Sequence, residues 1–367
     1  MGMPKLMRGV HLTGNGGFDK LVVRDDIPVP VPGHGEVLVA VGACGMNNTD
    51  INTRTAWYSK AVTSDTATGG DEGFAQAGTD DSTWGGSGLT FPRIQGADVV
   101  GHIVAIGDNV DNSLIGERIL VDPWIRNRSH PEDRSLAGYF GSERDGGFAE
   151  YTTVPAINAV PVHSTLEDTE LATFPCSYST GEYMLTRARV AEGETVLVTG
   201  ASGGVGSGLI QLVRARGARC IAIAGREKLK SIEALGADTV IARDEPDLAS
   251  AVRDAAPAGE VDVVADVVGG ENFPLWLDLL ARGGRYVTSG AIAGPVVELD
   301  LRTLYLKDLE LWGATVMPRE VFVNLVKLIE QGILRPLLAG TFPLEDIHAA
   351  QKKFLEKKHV GNFVIVP

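Results

Sequence analysis

A two-part α/β chain is predicted, with a doubly wound parallel sheet in its second half and a compact β-rich barrel in its first. From Glu192 onward, short β-branched runs alternate with amphipathic stretches, the pattern of buried parallel strands joined by crossover helices. The first half instead carries strand-like runs broken by glycine and poor in helical periodicity, as a small barrel requires. Glycine fills 45 of the 367 positions, well above the usual share of about 7%, and much of the excess falls in strand-to-helix turns.

The barrel runs are EVLVAVGACG (36–45), DVVGHIVAIGDNV (98–110), ERILVDP (117–123) and FAEYTTVP (148–155). Between the first two lies a segment, 59–91, with 7 Gly, 10 Ser or Thr and 5 Asp or Glu among 33 positions. It reads as a long inserted loop, either a mobile surface excursion or a lid over a nearby site. The second half supplies the strands TVLVTG (195–200), CIAIAG (220–225), DTVIA (238–242), VDVVADVVG (261–269), RYVTSG (285–290) and LELWGATV (309–316). Between the first two of these, Val205, Leu209, Ile210, Leu212 and Val213 mark one helical face. The tail, 341–367, offers one amphipathic helix and a last strand expected to return to the barrel.

Charge and cysteine content narrow the function. The 33 Lys and Arg against 47 Asp and Glu leave a formal net charge of −14, which opposes nucleic-acid binding, a process driven by cations that displace counterions. No apolar run approaches the ~18 residues of a membrane span, and the N-terminal residues lack the apolar stretch of a signal peptide, so a cytoplasmic protein that binds neither nucleic acid nor membrane is expected. Cys44, Cys176 and Cys220 are too few and too scattered for a disulfide framework or a four-cysteine zinc site.

The most specific motif is GASGGVG (200–206), which follows the strand TVLVT and opens a helix. In that context Gly203 lets the backbone approach a pyrophosphate, Gly206 permits close helix-on-strand packing, and the helix N-terminus presents free N–H groups to an anion. A dinucleotide is the expected ligand. The second strand ends Ile223, Ala224, Gly225, Arg226 without the carboxylate that would hold an NAD ribose. Arg226 stands at the start of the next helix, where a cation opposes the dipole unless an anion such as a 2′-phosphate offsets it. With Lys228 and Lys230 adjacent, NADP is favoured over NAD; the other reading is a set of solvated cations balanced by Glu227 and Glu233.

Along its whole length the chain resembles the medium-chain dehydrogenase/reductase superfamily. The resemblance rests on CGMNNTD (44–50), GADVVGHIVAIGDNV (96–110), GGFAEY (146–151), PCSYSTGEYML (175–185), VLVTGASGGVG (196–206), ALGADTVI (234–241) and HVGNFVIVP (359–367). It implies a GroES-like β-barrel catalytic domain (1–160 and 317–367, with 59–91 inserted), a Rossmann coenzyme domain (161–316), a cleft between them and a homodimer. It further implies coenzyme contacts from Thr180, Ala201, Ser202, Gly203, Gly204, Val205, Gly225, Arg226, Lys230, Val268, Gly290, Ala291, Ile292 and Asn362. Of these, Thr180 resembles the residue beside the nicotinamide, and Gly290 to Ile292 the turn that binds its carboxamide.

The chain departs from the zinc-dependent members. Asn47 and Asn48 stand where those have Cys and His, and Ala97 and Asp98 where they have His and Glu, leaving Cys176 at the last ligand position. No metal is expected, a distorted site from Cys176 and Asp98 being the other possibility. His102 falls within a strand run and reads as structural. Asn47 followed by Asp50 resembles the NxxD of the zinc-independent branch, the zeta-crystallin-like quinone oxidoreductases and enoyl thioester reductases, although Asn and Asp here also suit a helix cap. Tyr58, eleven residues beyond Asn47, falls where the enoyl reductases carry a proton-donating Tyr, and is otherwise a packing aromatic.

The function implied is hydride transfer from NADPH to a quinone, enone or other conjugated carbonyl, with Asn47, Thr49 and Tyr58 as neutral donors to the developing anion. The alternatives are a zinc-type alcohol dehydrogenase with an atypical metal site and a non-catalytic NADPH-binding protein.

Overall fold

A computed structural model describes residues 3–367. The second half forms a six-stranded parallel sheet whose spatial order is Thr239–Ala242, Arg219–Ala224, Thr195–Val198, Val261–Asp266, Leu280–Thr288 and Glu310–Gly313. This is the doubly wound order in which the strand succession reverses beside the first strand, opening a crevice at the carboxyl ends. The central strand Thr195–Val198 is buried throughout, as its β-branched run requires. Helix Gly204–Ala215 buries Leu209, Ile210, Leu212 and Val213, four of the five residues of its expected apolar face, and leaves Val205 half-exposed at its mouth. It packs closely on helix Pro175–Arg187 because Gly208 lies under the Tyr178 ring and Gly181 against Leu209 and Leu212. The fifth strand starts at Leu280, earlier than the β-branched run indicates, and its register against Val261–Asp266 shifts between Val261 and Val263.

The first half is the GroES-like barrel. Its central strand, Glu36–Gly45, pairs antiparallel with Asp98–Ile106 and with Tyr151–Pro155. The tail does return: Asn362–Val366 aligns Val364 with Gly45 and Ile365 with Cys44, after helix Ile347–Leu355. Segment 59–91 contains no helix or strand, yet it is not a free excursion. Val62, Thr66, Phe74 and Ser82 are buried, and the wholly buried Arg54 donates to the carbonyls of Gly16 and Gly70 and to Gln351, tying the segment to the barrel.

One apolar core runs from the parallel sheet through helix Pro175–Arg187 to the barrel residues Ala97, Val100, Trp124 and Tyr139. Helix Arg319–Glu330 joins it through Phe322, Leu325 and Ile329. Among the described residues, no helix is long and apolar enough to cross a membrane.

Candidate active site

A cavity of about 280 Å³ opens where the barrel meets the parallel sheet. Its barrel side carries Thr49, Tyr58, Trp84, Trp124 and Tyr139; its sheet side carries Cys176, Ser179, Thr180, Ser289 and Thr315. Thr49 is on helix Asn48–Thr55, and Tyr58 follows the left-handed turn at Ala56 (φ 62°) that ends it. The Tyr58 hydroxyl donates to Thr49 Oγ1 at 3.1 Å. Burial pushes the Tyr58 phenol up to about 12, so it is a neutral donor at pH 7. Two of the three expected catalytic residues, and Thr180, thus share one cavity.

Asn47 does not line it. Its Nδ2 donates to Asp98 Oδ2 at 2.5 Å, and its Oδ1 accepts from Ser177 Oγ at 2.8 Å and from Asn362 Nδ2 at 3.3 Å. With these three bonds the Asn47 side chain knits together four segments behind the cavity wall, rather than facing the cavity as the sequence led us to expect. Asn362 Nδ2 donates to Asn47 and Ser177, whereas its buried Oδ1 has no hydrogen-bond partner among the described residues, which leaves an acceptor at the expected coenzyme position. A methyl group at position 204 would strike the Ser177 hydroxyl and the Asn362 amide, so any larger residue there must displace them. The Asp of the NxxD motif is a cap: Asp50 Oδ2 accepts from the Asn47 N–H at 2.8 Å and Oδ1 from the Gly96 N–H at 3.2 Å.

Two buried carboxyls and a thiol lie together here. Burial raises both Asp98 and Asp50 to about 7, each opposing the desolvation with hydrogen bonds from amides. Burial, with the Asp98 charge added, pushes the Cys176 thiol well up, and the Tyr139 hydroxyl donates to its sulfur at 3.0 Å. These residues are a poor fit for a catalytic zinc, which takes three protein ligands and an open position. Asp98 Oδ1 accepts from the Cys176 N–H and Oδ2 from Asn47. Among the described residues, no group of three or more His, Cys, Asp and Glu is placed to hold a metal ion. His102 is exposed, on the far side of its strand.

At the carboxyl ends of the parallel strands the glycine turn lies beside several of the expected coenzyme residues. Gly203 caps helix Gly204–Ala215 with no side chain bonded to the free N–H groups, and Gly206 packs so tightly on Gly200 and Ala201 that any side chain would collide. Val268 and Gly290 to Ile292 lie beside this turn: Gly200 faces Val268, and the Ile292 N–H reaches the Val267 carbonyl at 3.4 Å. Gly361 donates from its N–H to the Ser202 carbonyl at 3.2 Å, closing the crevice with the C-terminal strand.

The cations divide differently from the sequence expectation. Lys230 is exposed on the helix after the turn; the lysine that reaches the glycine turn is Lys228, whose ammonium donates to the Lys357 carbonyl at 2.6 Å and to Ser202 Oγ at 3.4 Å. Lys357, which the sequence reading missed, donates to Asn48 Oδ1 at 2.8 Å and lies 3.8 Å from the Phe354 ring centroid. Burial, then Lys228, pushes its ammonium down to about 7. Its one sequence signal is its place just before HVGNF. Among the described residues neither lysine has a carboxylate partner, so this crevice is prepared for an anion, and the turn, the uncapped helix and the two lysines together fit a nicotinamide dinucleotide. Arg226, more than half exposed, pairs with Asp244 at 3.2 Å.

The family described as alcohol dehydrogenase GroES-like domain matches residues 33–164, and zinc-binding dehydrogenase matches residues 204–331. The chain is 33% identical over 287 residues to an acryloyl-coenzyme A reductase of Metallosphaera sedula, covering 76% of this chain and 84% of that protein. It is 26% identical over 359 residues to the quinone oxidoreductase of Homo sapiens, covering 96% and 94%. The crystal structure of a protein assigned as an alcohol dehydrogenase from Sinorhizobium meliloti superposes with a TM-score of 0.88 at 52% identity, covering 100% of this chain and 98% of that one.

Proposed function

The chain belongs to the medium-chain dehydrogenase/reductase superfamily and is an oxidoreductase of that type that binds a nicotinamide coenzyme, and from this premise we propose an NADPH-dependent reductase of quinones, enones or other conjugated carbonyls that works without catalytic zinc. The observation that carries the reading is the donor set around Asp98: its oxygens accept from the Cys176 N–H and from Asn47, and among the described residues no group of three or more His, Cys, Asp and Glu is placed to hold a metal ion. A simple aldehyde benefits from Lewis-acid help as charge develops on its oxygen. A conjugated acceptor spreads that charge, and neutral donors in a dry cavity suffice.

The bound coenzyme supplies the hydride. Thr180 packs at the nicotinamide position, and the turn of Gly290, Ala291 and Ile292 takes the carboxamide. The N–H groups of Gly204 and Val205, with Lys228 and Lys357, would hold the pyrophosphate, the Gly203 N–H being donated to the Gly200 carbonyl. Ala201, Ser202, Gly225 and Val268 line its path, and Arg226 leaves Asp244 for the 2′-phosphate. On the barrel side the Tyr58 hydroxyl, relayed to Thr49, faces the substrate oxygen or its α-carbon and delivers a proton after hydride transfer. Exposed Val296, Leu301, Tyr305 and Leu306 precede the edge strand Glu310–Gly313 in the chain, apolar exposure suited to a homodimer.

The test is NADPH oxidation against quinones, enones, enoyl thioesters and aldehydes, with and without a chelator. Turnover of conjugated acceptors unaffected by chelation supports the reading; turnover confined to aldehydes or alcohols and lost on chelation overturns it.

A further inference from the structure

The 59–91 segment contributes a side chain to the cavity. Trp84 is half-buried, and its ring centroid lies 4.3 Å from that of Trp124 at 62°, and 6.4 Å from that of Tyr139; Trp124 and Tyr139 are themselves 4.7 Å apart at 60°. Edge-to-face packing of this kind fixes each ring against its neighbours. A single carboxylate sets the register of the segment on this wall. Glu143 Oε1 accepts from the Gly85 N–H at 3.2 Å and its Oε2 from the Tyr139 N–H at 2.9 Å, so the backbone next to Trp84 and the backbone of Tyr139 share one anchor. On the sheet side, the Thr66 N–H donates to the Ile292 carbonyl at 3.1 Å, holding the segment over the strand ends.

Among the described residues, no charged side chain lines the cavity these rings enclose: its side-chain polar groups are hydroxyls, the Cys176 thiol and the indole N–H groups of Trp84 and Trp124. Such a wall offers aromatic faces and edges to a flat π-system and nothing to neutralise a carboxylate or phosphate at the reacting end. We propose that Trp84, with Trp124 and Tyr139, is a specificity-determining residue that selects planar, uncharged, aryl-conjugated carbonyls over aliphatic ones. This narrows the substrate class and rests on the function proposed above.

The experiment uses the full-length protein with NADPH and two enones that differ in the aryl group, 4-phenyl-3-buten-2-one and 3-penten-2-one, measured as kcat/KM in wild type, Trp84→Leu and Trp84→Phe. Calorimetric titration of 4-phenyl-3-buten-2-one into protein saturated with NADP+ supplies a readout independent of turnover. Trp84→Leu is expected to lower the aryl-to-aliphatic ratio of kcat/KM about tenfold, from the loss of an aromatic contact, and Trp84→Phe to retain most of the ratio. Equal losses on both enones, or an unchanged ratio in Trp84→Leu, overturn the inference while the reductase function stands. If wild type turns over neither these enones nor any quinone but binds the phenyl compound in a Trp84-dependent manner, the aromatic site stands and the proposed function falls.

Discussion

Asn47 Nδ2 donates to Asp98 Oδ2 at 2.5 Å, across 51 residues of sequence, and the other Asp98 oxygen accepts the Cys176 N–H. Burial lifts the Asp98 carboxyl from its ordinary value near 4 to about 7, its bonds to Asn47 and Cys176 pull it back, and Asp50 adds to the rise. Since the folded chain keeps this proton where the unfolded chain has released it, the Asp98 contribution to stability is complete below about pH 4 and is lost as pH rises through about 7. Between pH 5 and pH 8, urea unfolding midpoints should therefore fall more for wild type than for Asp98→Asn. Parallel midpoints across that range would remove Asp98 as the titrating group.

Metal content follows from the same bonding. The purified protein should carry far less than one zinc per chain and keep its NADPH-dependent activity after dialysis against a chelator. Stoichiometric zinc by elemental analysis, with activity lost on chelation and regained on adding Zn²⁺, would defeat the zinc-free reading.

In the coenzyme placement we propose, two cation substitutions separate two parts of the coenzyme. Lys357→Met removes a contact at the pyrophosphate that both coenzymes share, so NADPH and NADH should weaken together. Arg226→Ala removes a contact to the 2′-phosphate alone, so only NADPH should weaken. Charge-assisted hydrogen bonds contribute roughly 1.5–3 kcal/mol, so losses of about tenfold or more in Kd are expected, read by fluorescence titration. Equal wild-type dissociation constants for NADPH and NADH would end the NADP assignment.

Tyr58→Phe keeps the ring and deletes the donor. With an enone substrate, turnover should drop by about 10²-fold or more, the usual scale for a general acid, while NADPH affinity stays within about twofold, since the Tyr58 hydroxyl bonds to Thr49 on the barrel side of the cavity. Turnover within about threefold of wild type, under ~1 kcal/mol in barrier, would reduce Tyr58 to a packing residue.

What could be read from sequence was whatever near neighbours dictate. The strand, glycine turn and helix around Gly200–Gly206 announce themselves because the conformations they need are local: Gly200 sits at φ 57°, Gly206 admits no side chain, and the β-branched runs on either side are buried on both faces. Thr49 and Tyr58 meet for the same reason, nine residues apart across one helix end. The direction of a side chain between elements is another matter, because it depends on partners that only folding brings near. Asn47 turned away from the cavity because Ser177 and Asn362, 130 and 315 residues distant, offered the donors its carbonyl needed once out of water. Lys228 rather than Lys230 reached the glycine turn because the Lys357 carbonyl was there to receive it, and Trp84 became a cavity wall only through Trp124 and Tyr139. A buried polar group must find a partner or forfeit its hydration, and tertiary packing alone decides which partner is within reach.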